Sequence, residues 1–106
     1  MTRAFAEAWL RARDPAPPRA LAERLEQMLA AFPDPGVAEA ATVSALMAAL
    51  GVATLGALDS RDARSVDVAL DLLAADAFVT FAFEAAVEEG VEVGPLADRI
   101  LGQVGA

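Results

Sequence analysis

Residues 40 to 58, AATVSALMAALGVATLGAL, form a run of 19 positions without a charged side chain. A helix on the surface of a bundle needs a polar face, so an uncharged run of this length is either a membrane span or a helix enclosed by others. Seven of the nineteen residues are Ala and five more are Gly, Ser or Thr, which leaves few strongly lipophilic side chains. No Lys or Arg flanks the run closely, so the charge bias of membrane spans is missing as well. The expectation is an enclosed helix away from any membrane. Within it Ala41, Ala45, Ala49, Ala53 and Ala57 recur every four residues, and Leu46, Leu50 and Leu58 follow the same period with Thr54 between them. Such a groove beside a ridge packs on another helix at about −50°, with axes about 8 Å apart. The occupant is either the next helix of the same chain or the same row in a second copy. The five alanines are therefore interface candidates.

Proline and glycine divide the rest of the chain. Residues 1–13 place Phe5, Ala8, Trp9 and Ala12 on one helix face. DPAPP at 14–18 ends that helix and reads as a stiff linker, because each Pro fixes φ and removes a donor. Phe5 and Trp9 thus become further interface candidates, able to pack on the chain's own core or on a neighbouring protomer. From Pro18 onwards Leu21, Leu25, Met28, Leu29 and Phe32 mark an amphipathic helix, with Arg19, Glu23 and Gln27 on its wet side. PDPG at 33–36 stops it, with Asp34 placed to cap a helix running over 35–58. LDSRDARS at 58–65 predicts a turn whose Asp59 or Ser60 caps the next helix and whose Asp62 suits its first turn. That helix is expected over 61–89, ending at Gly90, and Pro95 is expected to open a last one bearing Leu96, Ile100 and Val104. The sum is an all-α single domain: an N-terminal helix, a Pro-rich linker and a bundle over 19–106. Four to five helices are expected, with a central hairpin of the helices at 35–58 and 61–89.

The absent residue types exclude most chemistry. There is no Cys, His, Lys, Tyr or Asn, which removes the thiolate, the usual general base near neutral pH, the Schiff-base amine and the common imidazole metal ligand. A catalyst made from what remains would need a carboxyl of raised pKa or a carboxylate-held metal, and no recognisable constellation exists. The reading is a non-enzyme with no cofactor. Residues 33–106 hold three Arg against twelve acids, while residues 1–32 hold five against four, within a net charge of −8. An acidic surface repels the phosphate backbone, so nucleic acid is not an expected partner; a cationic one is compatible. Rich Ala and Arg without Lys or Asn suggest a GC-rich bacterial genome, and no charged leader precedes an apolar core near residue 1, so a cytoplasmic location is expected.

Asp76 is the one carboxylate that the pattern does not absorb. Leu72, Leu73 and Val79 lie one turn away from it, and Thr80 is its only polar neighbour at that spacing. Either it points inward with Thr80 as a buried polar pair needing a partner, or the row Asp76, Thr80, Glu84, Glu88 is a wet face. As an acidic strip, that row could hold an Arg-bearing partner, a small ligand or a hard metal through Asp76, Glu84 and Glu88. The surrounding DLLAADAFVTFAFEAA at 71–86 resembles one helix of the trans-isoprenyl diphosphate synthases, with its small-residue run, Asp, bulky apolar residues and Ala-Phe-Glu. In that family the activity lies in DDxxD-type motifs on other helices that hold magnesium and diphosphate. No such motif occurs in this chain, whose Asp59 and Asp62 are separated, and the likeness covers sixteen residues; it implies helix packing and no activity.

A chain this short and 57% apolar carries more apolar helix surface than a monomer of its size readily covers. The function expected is a non-catalytic helical interaction or assembly module, self-associating or bound to a helical protein. The alternative is a bundle that binds a small ligand or a metal at the Asp76 to Glu88 strip.

Overall fold

The computed structural model describes residues 1–58 and 65–104. They form α1 (Arg3–Arg11), α2 (Arg19–Ala31), α3 (Asp34–Glu39), α4 (Val43–Leu58), α5 (Val66–Glu89) and α6 (Val93–Val104), with no strand among the described residues. The chain is all-α, and none of these helices is long and apolar enough to cross a membrane. The described residues form six helices rather than four or five, because the segment expected to be one helix over 35–58 is two.

The break falls at residues 40–42, where Ala40 is extended. It persists because the new helix start is well capped. The Thr42 hydroxyl accepts from the Ala45 N–H at 3.1 Å, and the Glu89 carboxylate accepts from the Val43 and Ser44 N–H groups at 2.8 and 3.1 Å. Three of the four orphan donors of α4 are thereby satisfied, one pair of them by a full negative charge at the positive end of the helix dipole. Asp34, expected as a cap, is instead the first residue of α3 and binds Arg3 at 2.5 Å. The same Arg3 donates to the carbonyls of Leu29 and Phe32 and so terminates α2, which has no basic residue of its own in its last turn.

The other boundaries shift by a turn or less, except the start of α5, whose expected residues 61–64 lie outside the described ones. α1 stops at Arg11 rather than Arg13. The expected caps Asp59 and Ser60 and the first-turn Asp62 lie outside the described residues; Ser65 caps α5, its hydroxyl accepting from the Val68 N–H at 3.1 Å. Gly90, at φ 71°, closes α5 in the left-handed conformation, and the Val91 N–H reaches back to the Ala86 carbonyl at 2.8 Å. α6 begins at Val93, so Pro95 sits in its first turn, where a missing N–H is no loss.

α4 and α5 run antiparallel, with Val43 beside Glu89 and Gly51 against Ala75 and Val79. Theirs is the most extensive contact between any two elements. α5 turns inward Val68, Asp71, Ala74, Ala75, Phe78, Phe81, Ala82, Ala85 and Ala86, and α4 answers with Val43, Ser44, Leu46, Met47, Ala48, Leu50 and Gly51. Leu25 and Leu29 of α2, Leu10 of α1 and Leu96 and Ile100 of α6 close the core around Phe78. The row from Ala41 to Ala57 is not the surface that packs on α5. A Cβ at Gly51 would stand 2.9 Å from a methyl of Val79, so the close approach is made there. Ala41, Ala53 and Ala57 are exposed, and Ala45 and Ala49 half-buried.

Two outcomes follow. Gly51→Leu should destabilise the fold by about 1–3 kcal/mol in urea titrations, because Val79 is stiff in a helix and cannot yield; Val79→Ala in the same chain should restore part of the loss. Glu89→Ala should cost about 1 kcal/mol in thermal denaturation by uncapping α4, the exposed position of Glu89 keeping the loss modest.

Candidate functional site

The buried carboxylate of this protein is Asp71, not Asp76. Asp71 is 3% exposed and receives a two-pronged hydrogen bond from Arg24 of α2, Nε to Oδ1 at 2.6 Å and an Nη to Oδ2 at 3.1 Å. The carboxylate drives the Arg24 pKa above its ordinary value, burial opposing the shift. Arg24 is thus a cation at every pH the folded chain experiences. Its guanidinium also donates to the Gln27 carboxamide oxygen at 3.3 Å. The pair ties α2 to α5, and it forms one end of an open groove between α2 and α4.

That groove has a volume of about 490 Å³. Met28, Ala31 and Phe32 make one wall, and Leu50, Ala53, Thr54 and Ala57 make the other. The Thr54 hydroxyl is turned back onto the Leu50 carbonyl at 2.7 Å and contacts the Met28 sulfur at 3.8 Å, so it offers the groove little polarity. Two members of the alanine row, Ala53 and Ala57, form an i, i+4 pair of small side chains that leaves the α4 backbone open to approach. Among the described residues that line the groove, Arg24 and Asp71 are the charged ones, and they pair with each other.

A second apolar surface lies on α5. Leu72 and Leu73 are 54% and 56% exposed. With Leu55, Ala75, Asp76 and Val79 they line a shallow depression of about 410 Å³ between α4 and α5. Asp76, Thr80, Glu84 and Glu88 are all exposed. The inward alternative for Asp76 and Thr80 therefore does not hold; their row is the wet face of α5. Single-helix spacing also separates Asp76 from Glu84 by about 12 Å of axial rise. Among the described residues no group of three carboxylates stands close enough to hold a metal ion, and Glu88 is directed elsewhere.

Glu88 accepts from Arg13 at 3.1 Å and from the Trp9 indole N–H at 3.3 Å. Trp9 packs edge-on against Phe81, with centroids 6.1 Å apart, and Arg13 lies 3.5 Å over the indole ring. Trp9 consequently docks α1 on the chain's own core. Arg13 is itself largely enclosed in this cluster. Phe5, one turn before Trp9 on the same side of α1, is exposed, and Arg11 reaches Glu26 at 2.5 Å. Sequence reasoning missed Asp71 because Asp67 shares its edge of the helix and makes it read as part of a wet face, while Val68, Ala74 and Ala75 are smaller than the leucines beside Asp76. The available signal was size: the alanines at 74, 75, 82, 85 and 86 mark the face that a close neighbour covers, and Asp71 lies on that face.

No model of a known protein family, no curated protein and no solved structure matches the chain.

Shortening Arg24 should destabilise the fold by about 1–3 kcal/mol, the lower part of the range applying because Arg24 is about a third exposed and its charge is screened. Arg24→Ala followed by urea titration measures the loss. The double variant Arg24→Met, Asp71→Leu should recover most of it, since an apolar pair needs no desolvated charge.

Proposed function

We propose that this protein is a non-catalytic helical interaction and assembly module that self-associates through the groove between α2 and α4, with α4 and α5 as its central hairpin. The observation that carries the reading is the position of Ala53 and Ala57. They are small, exposed and set in an apolar groove that the chain's own helices leave open. A second copy can present the same row and cross it closely, as an isologous contact requires. The near-neutrality of the described residues that line this surface also matters, because two chains of net charge −8 meet most readily where their acids do not. The absence of His, Cys, Lys and Tyr from the sequence, together with the engagement of Asp71 by Arg24, supports a non-catalytic role. The Arg-rich, Lys-free composition favours a bacterial, cytoplasmic setting.

Sedimentation equilibrium over about a hundredfold range of concentration tests the reading. The expected result is a dimer mass at the upper end that Ala53→Glu reduces to the monomer, with a Kd at least about tenfold weaker. A monomer at every concentration, or a dimer indifferent to Ala53→Glu, would overturn it.

A further inference from the structure

The outer face of α5 takes no part in the proposed self-association, and of the stripe along it Phe83 alone packs against the core. Val66, Ala69, Leu73, Asp76, Thr80, Phe83 and Val87 follow one another at alternating steps of three and four residues, the spacing of a coiled-coil seam. All but Phe83 are exposed and Phe83 is half-exposed; Leu72 lies alongside, and Val87 at the far end of the stripe is 72% exposed. The stripe runs along a helix of 24 residues, about 36 Å at 1.5 Å per residue. Large apolar side chains repeated over such a length, with a depression beside Leu72 and Leu73, have the geometry of a seat for one further helix.

Charge identifies the occupant. Asp76 lies within the stripe and Glu84 borders it, and neither takes part in an ion pair with any described residue. The arginines that pair are engaged elsewhere, with Asp34, Glu26, Glu88, Glu23 and Asp71. A second copy laid on this face would bring Asp76, at the middle of the stripe, against its own copy in either direction, and in the parallel pairing Glu84 would meet Glu84 as well; these contacts repel. A helix with Leu or Ile at its seam positions and Arg beside them would cover the leucines and neutralise the acids.

We propose that the outer face of α5 docks a basic amphipathic helix of a partner protein, whose apolar side chains cover Leu72, Leu73 and Val87 and whose Arg or Lys side chains pair with Asp76 and Glu84. Leu72 and Leu73 supply the contact area, and the two carboxylates select the partner's sign of charge and fix its register. The net charge of −8 adds long-range attraction that speeds the encounter.

A synthetic helical peptide of about three heptads, with Leu at its seam positions and Arg flanking them, serves as the probe in a fluorescence anisotropy titration. Its counterpart with Glu in place of Arg is the control. The full chain and its Ala53→Glu variant are both titrated, so that failure of the self-association reading leaves this result unaffected. The expected outcome is saturable binding of the basic peptide alone, to both proteins, weakening as NaCl is raised. Leu72→Ala with Leu73→Ala should weaken it by about tenfold or more, and Asp76→Asn with Glu84→Gln by about tenfold. These positions are exposed, and circular dichroism of each variant verifies that the fold is kept. No binding at about 1 mM peptide, or equal binding of the acidic control, would overturn the proposal. So would affinity indifferent to the two leucines, which would show mere charge attraction. A fourth overturning result is a wild-type dimer that Leu73→Glu dissociates, which would make a second copy the occupant.

Discussion

The close approach of α4 and α5 at Gly51 governs how this chain distributes its apolar side chains. With the position of a missing Cβ only 2.9 Å from Val79, the helices approach closely at Gly51, and α5 presents mostly alanines to α4. A narrow interface has room for Ala74, Ala75, Ala82, Ala85 and Ala86 and for a single large ring, Phe78. It has none for Leu72 and Leu73, which a wider spacing would have drawn inward. The leucines are on the surface because the alanines fit better, and packing density outweighs hydrophobicity in deciding which face of α5 is covered. The same contact sets the register of the pair, since it places Glu89 where it can cap α4.

Arginine is the scarce polar resource. Eight arginines face sixteen acids, and most of those described serve the fold. Arg3 ends α2 and holds α3, Arg13 lies over Trp9 and binds Glu88, and Arg24 compensates the one buried carboxylate. Among the acids outside these ion pairs, Asp76 and Glu84 stand on the outer face of α5, near its exposed leucines. Apolar area and unneutralised negative charge therefore coincide on one helix. The groove between α2 and α4 combines apolar area with near-neutrality. Two surfaces so different in charge suit two different kinds of partner.

Helical class and most element boundaries were legible because they rest on local rules. Pro18, Pro33, Gly90 and the apolar periods of α2 and α6 act within a turn of where they stand. The break at 40–42 was not legible, since half of its cause is Glu89, more than forty residues away along the chain. Neither was the choice between Asp71 and Asp76. Each has three apolar neighbours one turn away, and it takes Arg24, on another helix, to mark Asp71 as a paired buried acid and Asp76 as a solvated one. Trp9 was recognised as an anchor, but whether it anchored to Phe81 or to another molecule depended on where the linker at 14–18 returned the chain.

The sequence by itself determined that this protein is helical, acidic and without thiol, imidazole or amine side chains, because composition and short-range periodicity act through propensity, capping and the identity of the groups present. The tertiary structure alone decided which apolar faces are spent on the core, which carboxylate is buried and which alanines stay open. Those outcomes depend on the distance between helix axes, and that distance is set by the pairing of Gly51 with Ala75 and Val79, residues far apart in the chain whose fit no local pattern encodes.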